Sequence, residues 1–166
     1  MGSYSQWDRK LDGRLAKSVM AIPGIKAVSI GDGFEADAFS GGAFRDPISL
    51  SREDRFEIAR ETNHAGGLEG GLTNGEDLVV HAVMKPIPTM KAPIASIDLA
   101  DRSATTARYE RADVCAVHAA AVICENALCW VLADALTERY GGDTVDAMKA
   151  AFARDSQGLA AFWKQK

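Results

Sequence analysis

Three clusters in this sequence have residue types and spacings that could do chemistry. The first is "NHAGGLEGGLTNG", Asn63 to Gly75, which places Gly66, Gly67, Gly70, Gly71 and Gly75 just ahead of an apolar run. Glycine adopts positive φ freely and lets backbone approach a partner closely. The cluster therefore serves either as bulges and turns or as a surface for a flat or anionic group. It is not a phosphate-binding loop of the GK[ST] type, and a strand follows it where a dinucleotide fold needs a helix. The second is Lys85-Pro86-Ile87-Pro88-Thr89, at the end of that run. A strand-end lysine can meet a phosphate as a point charge, or simply be solvated. The third is "RYERADVC", with Arg108, Glu110, Arg111, Asp113 and Cys115 at the start of a long apolar segment. Asp113 reads as a helix N-cap. Arg111 and Asp113 together also suit an anion site with an acid/base group beside it.

The elements that must position these residues are legible in outline. Leu11, Leu15, Val19 and Ile22 form one helical stripe over residues 8–22, with Asp8 as N-cap and Pro23-Gly24 as the stop. Ile25 to Gly31 reads as a strand, and Gly31-Asp32-Gly33 as a turn. Residues 35–62 mix Gly, Pro, Ser and charge and read as a mobile loop, within which Ser51 and Asp54 could cap a short helix through Ile58. "DLVVHAVMK" alternates, with Leu78, Val80, Ala82 and Met84 on one face, and "PIASIDLA" is a further strand. Val114 to Tyr140 is a helix apolar nearly all round, which predicts cover on most sides. Gly141-Gly142 caps it, and a second helix spans Thr144 to Ala153.

Composition bounds the class. The chain has 166 residues, 47% hydrophobic and 25% charged, with a net charge of −4. That fits one domain, 1–166, of a soluble globular protein and gives no general reason to bind nucleic acid. Cys115, Cys124 and Cys129 have no CxxC spacing and read as buried, reduced thiols of a cytoplasmic protein. His64, His81 and His118 lie far apart, so no metal site is expected. The N-terminus lacks the apolar core of a signal peptide. His118, Glu125, Asn126 and Asp134 argue against a membrane span from Val114 to Leu136.

Taken in order, "NHAGGLEGG", "NGEDLVVHAVMKP", "ERADVCAV" and the Ala-rich helix resemble the C-terminal half of chorismate synthase. The matching positions are Asn63, Ala65, Gly66, Gly67, Gly70, Gly71, Gly75, Lys85, Pro86, Thr89, Arg111, Asp113, Cys115 and Glu125. The resemblance implies an α+β fold, part of a β-α-β sandwich with a long buried helix packed on antiparallel strands, usually assembled as a tetramer. It implies elimination of phosphate from 5-enolpyruvylshikimate 3-phosphate with reduced FMN as cofactor, in aromatic amino acid biosynthesis. It implies FMN contacts at Gly70, at Lys85, Pro86, Ile87, Pro88 and Thr89, and at Arg111, with Asp113 managing protons near the flavin. Members of that family are longer, and their N-terminal half, which carries the proton-transfer histidines, has no counterpart here. The expectation is therefore a half-enzyme, inactive alone, that forms a homo-oligomer or joins a complementary N-terminal half. The alternative is a non-catalytic flavin- or phosphate-binding or interaction module that keeps only the family core.

Overall fold

The computed structural model describes residues 1–51, 58–110 and 114–164. Helix α1 (Leu11–Met20) follows a single 3-10 turn, Trp7–Arg9. Asp8 lies in that turn, so it does not cap the helix; Lys10 stands at the N-cap position without a side-chain bond. The stripe read from the sequence is the core: Leu11, Leu15 and Val19 are fully buried. With Leu68 and Ala135 shielded beside the first two, α1 is held between the glycine-rich hairpin and the C-terminal part of the long helix.

Strand β1 (Ile25–Ile30) pairs antiparallel with β6 (Val80–Met84), Ile30 opposite Val80 and Ile25 opposite Met84. Among the described residues there are three more two-stranded antiparallel sheets. They are β2 (Ile48–Leu50) with β3 (Ile58–Arg60), β4 (Leu68–Glu69) with β5 (Leu72–Thr73), and β7 (Ala95–Ile97) with β8 (Ala104–Thr106). Ile58 therefore ends no helix; it begins a strand that pairs with Leu50. The Ser51–Asp54 cap falls partly outside the described residues. Within 35–62, a 3-10 turn at Ala36–Ala38 and the β2–β3 pair carry the chain.

Helix α2 (Val117–Tyr140) is 24 residues long, and α3 (Val145–Lys164) runs past Ala153 through Gly158. Gly141 closes α2 at φ 57°, its N–H donating to the Thr137 carbonyl. α3 folds back on α2: the Asp155 carboxylate accepts from Arg139 at 2.9 Å and from the Tyr140 hydroxyl at 3.1 Å. One side of α2 packs on α1, through Leu128, Val131, Leu132 and Ala135, and Arg14 reaches Asp134 and Glu138 across the contact.

The expectation that α2 is covered on most sides does not hold within this chain. Only 11% of its apolar 18-residue window is buried, although the helix is long and apolar enough to cross a membrane. Trp130 is 80% exposed, and Val117, Val122 and Ile123 also face outward. For the same reason Cys115 and Cys129 are exposed thiols rather than buried ones, and Cys124 is half-buried. The physical cause is that α1 and the β1–β6 pair supply cover from one direction only. The chain as a whole is also open: it exposes 12361 Å², whereas a folded monomer of 17.7 kDa should expose about 7,900 Å².

Candidate functional site

The glycine turn is built first by backbone. Gly31 N–H donates to Val79 O at 2.9 Å, Val79 N–H to Gly66 O at 3.2 Å and Asp32 N–H to His64 O at 3.0 Å. A Cβ on Gly66 would lie 2.3 Å from the Gly31 nitrogen, and one on Gly67 2.5 Å from the Asp77 carbonyl oxygen. These two glycines exist so that backbone can cross backbone. Asn63 completes the turn: its side-chain oxygen accepts from Gly67 N–H at 2.8 Å, and its amide donates to Asp77 O at 2.9 Å. Gly70 is different. It sits in the β4–β5 reversal at φ 61°, and a Cβ there would meet nothing within 4 Å. The opening glycines thus divide between structure, at Gly66 and Gly67, and an open backbone surface at Gly70.

A loop from Asp32 to Asp46 is clasped to this turn. The Asp46 carboxylate accepts from the Thr62 hydroxyl at 2.6 Å, from His64 N–H at 2.7 Å and from Ala65 N–H at 3.0 Å. His64 Nδ1 lies 2.6 Å from the Asp32 carboxylate. Its ring stacks on Phe44 at 5.6 Å between centroids and tilts against Phe39 at 5.3 Å. Partial burial pushes the Asp46 carboxyl up, but the bonds from Thr62, Ala65 and His64 outweigh it and leave the group below the ordinary aspartate value. None of Asp32, Phe39, Phe44 and Asp46 stood out in the sequence, because their partner lies 18 to 32 residues away for the two acids.

The second expected cluster stands at the other end of β6. Lys85 N–H donates to Gly24 O at 2.8 Å, which leaves its side chain at the surface as the strand ends in Pro86. Beyond it, Pro86, Ile87, Thr89, Met90 and Lys91 form one wall of a cleft of about 310 Å³; Tyr109 and Val114 form the other. Pro88 and Thr89 also meet Ala107 and Arg108 around a smaller recess. The structure thus brings the Lys85–Thr89 segment against the chain on both sides of positions 111–113. Arg111 and Asp113 themselves lie outside the described residues. Gly70 is not among the residues that line this cleft. From Val79, beside the glycine turn, to Lys85 is six strand residues, or about 20 Å.

Between these two ends, the apolar face of β6 opens onto α2. Leu78, Val80, Ala82 and Met84 face Val117, Ala120, Ala121, Cys124 and Leu128 across a trough of about 330 Å³, with Glu125 at its edge. The alternation read from the sequence is realised here, but the trough is left unfilled from the open side of α2.

Residues 1–137 match the family model described as chorismate synthase. α3 lies beyond that match. The chain is 50% identical over 159 residues to the chorismate synthase of Moorella thermoacetica, covering 96% of this chain and 41% of that protein. It is 52% identical over 151 residues to that of Anaeromyxobacter dehalogenans, covering 91% of this chain and 39% of the relative. A crystal structure of chorismate synthase superimposes with a TM-score of 0.77 at 39% identity, covering 97% of this chain and 40% of that one. The chain spans about two fifths of the length of the curated relatives it matches.

Proposed function

The chain belongs to the chorismate synthase family, and from that premise we propose that it supplies part of a chorismate synthase active site and needs further polypeptide to complete it. The reaction is loss of phosphate and one ring proton from 5-enolpyruvylshikimate 3-phosphate, forming a ring double bond with no net redox change. The observation that carries the proposal is the cleft shared by Ile87 and Thr89 with Tyr109 and Val114. It sets the Lys85–Thr89 segment, which resembles one of the family's flavin contacts, beside Tyr109 and Val114, which flank in sequence the position of another, Arg111. Their chemistry fits an anionic, flat cofactor. Lys85 offers a surface cation, Thr89 a hydroxyl, Arg111 a fork of donors and Gly70 an unobstructed backbone. Reduced FMN, when bound, supplies electron density as phosphate leaves. Asp113 holds or releases the proton at its carboxyl, and Lys85 and Arg111 offset negative charge.

The excess surface of about 4,400 Å² is of the size that obligate interfaces bury. We place the completing polypeptide over the open side of α2 and the β6 trough. It is either the part of the family fold that this chain does not span or, in a homo-oligomer, a second copy. In the cytoplasm, a reducing compartment, Cys115 and Cys129 stay thiols until that cover forms.

An anaerobic assay following chorismate absorbance tests the proposal. The 166-residue chain alone, with excess reduced FMN, is expected to show no turnover. Adding the remaining part of a close relative is expected to restore it, and Asp113→Ala should then cut the rate by about 10²- to 10⁴-fold. Turnover by the chain alone refutes the requirement for further polypeptide. FMN binding without any restorable turnover favours the non-catalytic module instead.

A further inference from the structure

Arg60 ends β3 with its side chain only 15% exposed, beneath the β4–β5 reversal that carries Gly70. Its Nη2 donates to the Glu69 carboxylate at 2.6 Å, and its Nη1 to the Asn74 carbonyl at 3.3 Å. The Asn74 side-chain amide donates to the same Glu69 oxygen at 3.1 Å. Asn74 is itself tied to the turn, its N–H donating to Gly67 O at 3.0 Å. One guanidinium therefore grips both legs of the reversal, Glu69 before Gly70 and Asn74 after Leu72–Thr73. Its Nε is buried and finds no acceptor among the described residues. A buried donor left unmatched is unfavourable, so the two terminal nitrogens must account for the side chain's presence. A Cβ on Gly70 would meet nothing within 4 Å, while next to it the Gly71 carbonyl accepts from Leu11 N–H at 3.1 Å, so the reversal is held at its base and left open at Gly70. We infer that Arg60 is the positioning residue of the Gly70 turn, holding that backbone still so that a flat ligand can lie against it. The ligand part of this inference rests on the flavin reading above; the positioning part does not. Lysine could keep the pairing with Glu69 but, as a single ammonium, could not span to the Asn74 carbonyl in the same fork.

The test compares the 166-residue chain with Arg60→Gln, Arg60→Lys and Glu69→Gln by amide hydrogen exchange and by quenching of FMN fluorescence. Arg60→Gln is expected to speed exchange at Leu68–Gly75 about tenfold, the scale of one charge-assisted hydrogen bond, and to leave Ile25–Ile30 and Val80–Met84 unchanged. Arg60→Lys should recover part of that protection, on the Glu69 side only. Glu69→Gln, which leaves Arg60 in place, should loosen the same residues and serves if Arg60→Gln fails to fold. FMN affinity should fall in the order of the loosening. Unchanged exchange in the turn, or acceleration spread evenly over the chain, overturns the inference. A loosened turn with FMN affinity unaltered overturns the ligand part. A loosened turn in a chain whose wild type binds no FMN, either alone or with the remaining part of a close relative added, upholds the positioning role and counts against the flavin reading instead.

Discussion

The two ends of β6 are finished to different degrees. At the Val80 end, the glycine turn is closed by backbone and side chains of this chain alone: Gly31 against Gly66, Asn63 across Gly67 and Asp77, Asp46 on three donors. At the Met84 end and along α2, apolar groups stand in the open, among them Val83 at 50%, Val114 at 102% and Trp130 at 80% exposure. Both ends come from one continuous stretch of family-like sequence, so the difference is not one of composition. It lies in where the partners are. The turn's partners sit within this chain; the open side of α2 has no cover among the described residues. The same sequence therefore holds a finished substructure and an unfinished surface, and each should respond to mutation in its own way.

The largest effect should come from breaking the finished end. Gly66→Ala places a Cβ 2.3 Å from the Gly31 nitrogen at φ 61°, where neither backbone can yield without losing the Val79 and His64 bonds. A cost above about 3 kcal/mol in thermal or denaturant unfolding is expected. Gly70→Ala shares the positive φ but meets nothing, so it should cost only about 1 kcal/mol. Equal losses for the two substitutions would mean that Gly66 is not a backbone crossing after all.

The unfinished end should respond in association rather than in folding. Trp130→Glu puts a charge on a residue that is already 80% exposed, so the melting temperature of the isolated chain should scarcely move. Self-association or capture of the completing polypeptide should weaken by about 2 kcal/mol, roughly thirtyfold, because a buried aromatic anchor becomes a desolvated charge. Sedimentation at several concentrations reads this directly. A wild-type chain that stays monomeric at high concentration and ignores the completing polypeptide would remove the comparison's second half.

What could be read from the sequence follows the same division. The α1 stripe and the β6 alternation were legible because helix and strand periods depend on near neighbours; Leu11, Leu15, Val19 and the Leu78–Met84 face stand where spacing puts them. The N-cap at Asp8 was misplaced because a 3-10 turn takes up residues 7–9 before α1 begins. The end of α3 was missed because Gly158 reads as a breaker, yet it continues the helix. In the candidate site, the glycines and the Lys85–Thr89 segment were visible as local patterns. The Asp32–His64 pair, the Asp46 clasp and the Arg60 fork were not, since they join residues far apart in sequence with no periodic trace. The exposure of Cys115 and Cys129 was beyond any local pattern, because hydropathy records what a side chain prefers and not whether its cover belongs to the same chain.

The smallest effect, and the one that probes the finished end most finely, is its response to acid. Asp46 is held below the ordinary aspartate value of 3.8: burial raises it, and bonds from Thr62, Ala65 and His64 overcome that burial. A carboxyl depressed in the folded state binds its proton more readily when unfolded. Its contribution is therefore complete above about pH 3.8 and is lost as the pH falls through the lower folded value. Discounted for its partial exposure, that contribution is about 1 kcal/mol. Asp46→Asn keeps the shape and can still accept two of the three bonds, but it cannot titrate. The variant should be less stable than wild type at pH 7 by about that amount, and the gap should close as both are taken down through the lowered folded value. Hydrogen exchange at His64 and Ala65, whose N–H groups Asp46 holds, locates the effect. A gap that persists unchanged into acid would mean that the Asp46 charge contributes nothing to the clasp, and that Phe39, Phe44 and the Asp32–His64 pair keep the loop on the turn without it.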